Sequence, residues 1–113
     1  MDCVFCKIIA EEITAAKIYE DEYVIAINDI NPQAPVHILI MPKAHICCAD
    51  EITEENGLLV GKCFEAAAKI AAKQGITNGY RIINNCGEDA CQTVRHIHFH
   101  LIAGKKLSEN IAF

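Results

Sequence analysis

The chain has 113 residues, of which 52 % are hydrophobic and 22 % charged. This is the size and balance of one folded domain, spanning 1–113, and it excludes a disordered chain. A net charge of −5 excludes a general electrostatic hold on nucleic acid, and no apolar run nears the roughly 20 residues of a membrane span. The opening Met1–Lys7 lacks the basic-then-apolar pattern of a signal peptide. The seven cysteines are odd in number and irregular in spacing, which reads as reduced thiols in a cytoplasmic chain.

Taken in chain order, Cys3–Ala10 reads as a short helix with Val4, Phe5, Ile8 and Ile9 apolar. Lys17–Glu20 and Tyr23–Asp29 read as strands about a turn at Asp21–Glu22. Two prolines make Asn31–Pro35 a loop, and Val36–Met41 is a strand stopped by Pro42. The helical spacing of Leu59, Cys63, Ala67 and Ile70 marks a long helix. Thr53 is its expected N-cap, Glu54 and Glu55 fall in its first turn, and Gly75 is its C-terminal cap. Gly57 and Gly61 either weaken its first turns, by about 1 kcal/mol each relative to alanine, or permit close packing. Tyr80–Asn85 is a strand, Cys86–Gln92 a polar loop and Thr93–Ala103 a final strand. The pattern predicts an α+β fold with a five-stranded antiparallel sheet, one long helix and one short one.

Three of five histidines lie at His96, His98 and His100, in alternation with Ile97, Phe99 and Leu101. On a strand, alternation puts the imidazoles on one face and the apolar residues on the other. Burying three imidazoles costs stability unless they are used. His96 and His100 would be about 13 Å apart, too far for one ion to take all three. Two readings of the residues stay open: a nucleophilic imidazole tuned by its neighbours, or a catalytic zinc held by His96 and His98. The loop Asn84–Thr93, rich in turn formers and amide donors, suits an anion.

The run Gly87-Glu88-Asp89-x-x-Gln92-Thr93-Val94-x-His96-Ile97-His98-Phe99-His100-Leu101-Ile102 resembles the signature of the histidine-triad (HIT) family. Asp29–His37, Pro42-Lys43-x-His45-Ile46 and Phe5–Ile9 resemble its Hint branch. The resemblance runs from Cys3 to about Gly104. It implies a nucleotidyl hydrolase or transferase cleaving purine nucleoside phosphoramidates, with a purine nucleoside monophosphate as bound product. His98 would attack the α-phosphorus and form a nucleotidyl intermediate. His100 would bond a phosphate oxygen, His37 would hold the tautomer of His98, and Thr93 would sit by the leaving group. Asn85 and the backbone at Cys91 and Thr93 would hold the phosphate, and Asp29 the ribose hydroxyls. Val4, Phe5, Ile8, Ile27 and Ile30 would wall the base.

Without the family, Asp29 reads equally as a turn residue, and the apolar wall as plain core. Two positions depart from the family pattern. Ala90–Cys91 stands where two glycines are usual, and Arg95 where an aromatic is common. The departure at Ala90–Cys91 keeps open a nucleotide-binding module with vestigial catalysis that acts through partners.

Cys3-x-x-Cys6 is half of a zinc site, a pair of free thiols or a redox pair. The resemblance completes it, because related members, including galactose phosphate uridylyltransferase, bind zinc with residues that match Cys3, Cys6, His45 and His96. The implied ion is structural, one per chain. The resemblance also implies a homodimer whose sheets join into ten strands, with the long helices at the interface.

Overall fold

A computed structural model describes residues 3–111. Its elements are α1 (Val4–Ile9), β1 (Lys17–Glu20), β2 (Val24–Asn28), β3 (Val36–Pro42), a 3-10 turn (Ala49–Glu51), α2 (Gly57–Lys73), β4 (Arg81–Ile83) and β5 (Phe99–Ala103). The strands form one antiparallel sheet in the order β1-β2-β3-β5-β4. The predicted α+β architecture is the observed one.

Side-chain alternation divides the sheet into two apolar layers. Val24, Ala26, Ile38, Ile40, Phe99 and Leu101 face α2, which buries Cys63, Ala66, Ala67 and Ile70 against them. Ile25, Ile27, Leu39 and Met41 face the other way, where Phe5 and Ile8 of α1 cover them. The β3–β5 register pairs His37 with Ile102 and Leu39 with His100.

The long helix begins later than Thr53 predicts. The Asn56 side chain takes the Thr53 N–H at 2.7 Å, Thr53 Oγ1 takes the Glu55 N–H at 3.2 Å, and Asn56 is the N-cap. Short polar side chains bonding nearby backbone make a separate turn here, so Glu54 and Glu55 precede the helix. The C-terminus is as predicted. Gly75 has φ +70°, and the Ile76 N–H returns to the Ala71 carbonyl at 2.9 Å, a Schellman closure.

The final strand begins at Phe99, not at Thr93. Its ladder with β3 ends at the pair Ile40–Phe99, and its ladder with β4 ends at Ile83–His100. Residues 93–98 therefore take other partners, such as the Ile97 N–H on the Ile46 carbonyl at 2.6 Å. Ile97 still joins the α2-side core.

Candidate active site and metal site

The α1 face of the sheet carries two groups of histidines. His37 comes from β3 and His100 from β5, with His98 one step before β5 begins. His37 and His98 are each 6 % exposed. The rings of His98 and His100 lie 5.3 Å apart, and Phe5 of α1 stands edge-on to His98 at 5.1 Å.

The hydrogen bonds assign the tautomers, because a backbone N–H can only donate and a carbonyl can only accept. The Gln33 N–H donates to His37 Nδ1 at 3.0 Å, so the His37 proton sits on Nε2. That Nε2–H donates to His100 Nδ1 at 2.8 Å, which places the His100 proton on its own Nε2. His98 Nδ1–H donates to the His96 carbonyl at 2.8 Å, leaving Nε2 of His98 with a lone pair. The site thus offers an imidazole nucleophile at His98 and an N–H donor at His100. Burial pulls His98 below the ordinary imidazole range. Burial, then His98 and His37, bring His100 down to about 4. Both rings are neutral near pH 7, as a nucleophile and its neutral donor require.

This network corrects the role expected of His37. Its ring bonds His100, and the tautomer of His98 is set by the main-chain carbonyl of His96. Asp29 acts as a turn residue, with Oδ1 accepting the Asn31 N–H at 2.8 Å. Its Oδ2 lies 3.3 Å from His37 Nε2, so the turn and the histidines share this carboxylate.

Phe5, Ile8 and Ile27 are buried together, while Val4 is 40 % and Ile30 100 % exposed. Asn85 is half-buried just beyond β4, and Thr93 is exposed. Cys91 is exposed with φ +60°, a backbone region that suits the glycine usual at this position. Its N–H is taken by the Glu88 carbonyl at 2.9 Å, so it does not point to an anion as the sequence leads one to expect. Two residues without an assigned role in the sequence stand out. Asn84 Nδ2 donates to the His98 carbonyl at 2.9 Å. Gln92 bonds Gly87, Val94 and Cys47 at once. A strand register and a loop closure create both sets of contacts, and neither is visible in residue spacing.

The second group lies at the start of α1. Cys3 is the N-cap, and its Sγ accepts the Cys6 N–H at 3.3 Å. Cys3, Cys6, His45 and His96 converge there, with all four ligand atoms within 4.8 Å of one another. His96 is fully buried, and its Nε2–H donates to the Pro42 carbonyl at 2.8 Å, so the Nδ1 lone pair faces the sulfurs. The Nδ1 atoms of His96 and His45 are 3.2 Å apart, and the nitrogen–sulfur separations are 3.3, 3.4 and 3.6 Å.

Tetrahedral zinc, with bonds of about 2.3 Å to sulfur and about 2.05 Å to nitrogen, separates nitrogen pairs by about 3.3 Å and nitrogen–sulfur pairs by about 3.5 Å. The four residues fit that ion. Burial, then the Cys3 sulfur, push the Cys6 thiol up, so an ion bound there displaces a firmly held proton. His98 lies outside this cluster, which does not match a catalytic ion held by His96 and His98. A second cluster, Asp29, His37 and His100, owes its closeness to the hydrogen bonds already described.

The HIT domain family model matches residues 10–107. The purine nucleoside phosphoramidase of Escherichia coli is 41 % identical over 112 residues, covering 98 % of this chain and 94 % of that protein. A 14 kDa zinc-binding protein of Zea mays is 41 % identical over 107 residues, covering 93 % of this chain and 84 % of that protein. The structure of a HIT family hydrolase from Clostridium thermocellum superposes with a TM-score of 0.94 at 51 % identity, covering 97 % of this chain and 96 % of that one. Sequence and overall fold thus agree along nearly the whole chain, which belongs to the HIT domain family.

Proposed function

We propose that this chain is one HIT domain over residues 1–113 that hydrolyses purine nucleoside phosphoramidates through a nucleotidyl–His98 intermediate. The tautomer network carries the reading, because it leaves the lone pair of His98 Nε2 free while Nδ1 is anchored. That lone pair attacks the α-phosphorus, the P–N bond breaks, and the amine departs with a proton taken from solvent. Water then attacks the phosphorus and returns a proton to solvent, the P–Nε2 bond breaks, and the nucleoside monophosphate leaves. His100 Nε2–H donates to a non-bridging oxygen, where the transition state gathers charge. His37 holds that donor in its tautomer. Thr93 lies beside the leaving group, and its N–H and Asn85 receive the phosphate. Asp29 receives the ribose through Oδ2. Phe5, Ile8 and Ile27 form the inner wall for the base, with Val4 and Ile30 as its exposed rim.

Zinc, when bound by Cys3, Cys6, His45 and His96, supplies cross-linking rather than chemistry. The donor set is closed, and the tie reaches the residue whose carbonyl orients His98. Thiolate ligands need reduced cysteines, and the cytoplasm keeps them so. We also infer a homodimer with a ten-stranded sheet. Leu58 is 64 % and Phe64 49 % exposed on α2, and Gly61 between them has open space around it, a face suited to another helix.

The test compares adenosine phosphoramidate hydrolysis by wild type and His98→Ala, with release of AMP followed. Turnover in the wild type only, with an adenylyl group trapped on His98, is the expected result. An adduct on any other residue overturns the mechanism. No turnover in either protein, with AMP still bound, replaces the enzyme by the binding-module reading that Ala90–Cys91 keeps open.

A further inference from the structure

Gln92 ends the loop 87–92, and its side-chain amide bonds three backbone groups, at Gly87, Val94 and Cys47. Oε1 accepts the Gly87 N–H at 2.9 Å, while the Gln92 N–H donates to the Gly87 carbonyl at 3.0 Å. One residue therefore holds both polar groups of Gly87 and closes the loop 87–92 into a ring. Gly87 has φ +85° and Cys91 φ +60°, so the ring is built on left-handed backbone at both ends.

The other end of the amide reaches the metal side. Nε2 donates to the Cys47 carbonyl at 2.8 Å and to the Val94 carbonyl at 3.0 Å. Cys47 lies two residues after His45, and Val94 two residues before His96. These two segments are otherwise clasped by the Ile97 N–H on Ile46 and by His96 Nε2–H on Pro42. His45 and His96 come from opposite sides of that clasp, so an ion bound to both draws the sides together. Each proton of the Gln92 amide takes a carbonyl from a different one of these two sides.

We propose that Gln92 is a positioning residue that couples the Cys3–Cys6–His45–His96 site to the loop 87–92, so that metal occupancy sets the order of residues 87–92. The proposal rests on the metal and phosphate assignments above. It adds that the ion acts on the phosphate end of the site through this one amide. Coupling of this kind needs a shared element whose state both sites bias, and the clasp is that element.

Hydrogen exchange read by mass spectrometry over 86–93 tests it without any nucleotide. Wild type and Gln92→Glu are compared with zinc bound and after chelation under reducing conditions. The introduced carboxylate keeps the acceptor for Gly87 and loses both donated bonds. Gln92→Met, which loses all three, is the second variant if Gln92→Glu does not fold. In wild type, chelation is expected to speed exchange of 86–93 about tenfold, the equivalent of one net hydrogen bond. In the variant, exchange is about tenfold faster with zinc bound, and chelation adds less than about twofold. An equal response to chelation in both proteins overturns the coupling while leaving the metal site standing. Failure of the wild type to bind zinc overturns the metal assignment and the coupling together. Failure to hydrolyse the phosphoramidate touches neither exchange result.

Discussion

The His100 ring ties stability to pH in a direction that the structure specifies. Burial, then His98 and His37, hold its folded value near 4, against an ordinary value of 6.5 in the unfolded chain. The native state therefore favours the neutral ring. Stability from this group is complete above pH 6.5 and is lost as pH falls from there toward 4, where the unfolded chain takes up a proton that the folded chain refuses. Between pH 7 and pH 5 linkage gives a loss of about 1.8 kcal/mol, which solvent screening of a half-buried ring reduces to about 1 kcal/mol. The comparison is with His100→Asn, whose side-chain oxygen takes the place of Nδ1 and still accepts from His37. Urea unfolding at pH 7 and pH 5 on zinc-loaded protein gives the loss for each. The wild type is expected to lose about 1 kcal/mol more than the variant over this interval, because groups common to both cancel. Equal losses would show that His100 titrates normally, and the argument that burial holds this ring neutral would fall with it.

Freshly purified protein is expected to hold one zinc per chain, and Cys3→Ser to lose it. At free zinc 100 times its Kd, binding contributes about 2.7 kcal/mol, or about 10 °C in Tm, and metal analysis that finds no zinc removes the basis for this. His37→Leu leaves the His100 donor in place without its anchor, so kcat is expected to fall about tenfold, less than for a deleted donor, with KM little changed. A larger change in KM than in kcat would place His37 in binding instead. Gly104→Ala is expected to destabilise by about 2 kcal/mol. Gly104 has φ +96°, and a Cβ there would stand 2.9 Å from Pro35 Cβ, so an unchanged unfolding midpoint would contradict the backbone path out of β5.

The chemistry was legible where residue type and spacing decide the outcome. The alternation His96-Ile97-His98-Phe99-His100 carries its own faces, and Ile97, Phe99 and Leu101 all reach the α2-side core. Gly75 marks its helix end because only a left-handed residue closes that turn. The errors arose where register or competing hydrogen bonds decide. Whether His37 bonds His98 or His100 depends on β3 and β5 pairing Leu39 with His100, and no local pattern states that register. The late start of α2 depends on Asn56 capturing Thr53, a local competition that capping preference alone misses. The late start of β5 has a third cause, in that both neighbouring strands end their ladders before residue 98. The four metal-site residues follow from family likeness. Cys3–Cys6 alone leaves a redox pair or free thiols open.

His98 is oriented by a peptide carbonyl, and this has a consequence for inheritance. In a catalytic triad the orienting group is a side chain, and one base change in the gene can delete it. Here the acceptor is the carbonyl of His96, which every amino acid at that position would supply. Point substitution can displace this acceptor but cannot erase it. A chain that trades His96 for another residue keeps a main-chain acceptor for the His98 Nδ1–H. The side chain proposed as the nucleophile is specified by one codon, that of His98, and its orienting partner is encoded by the chain being a polypeptide.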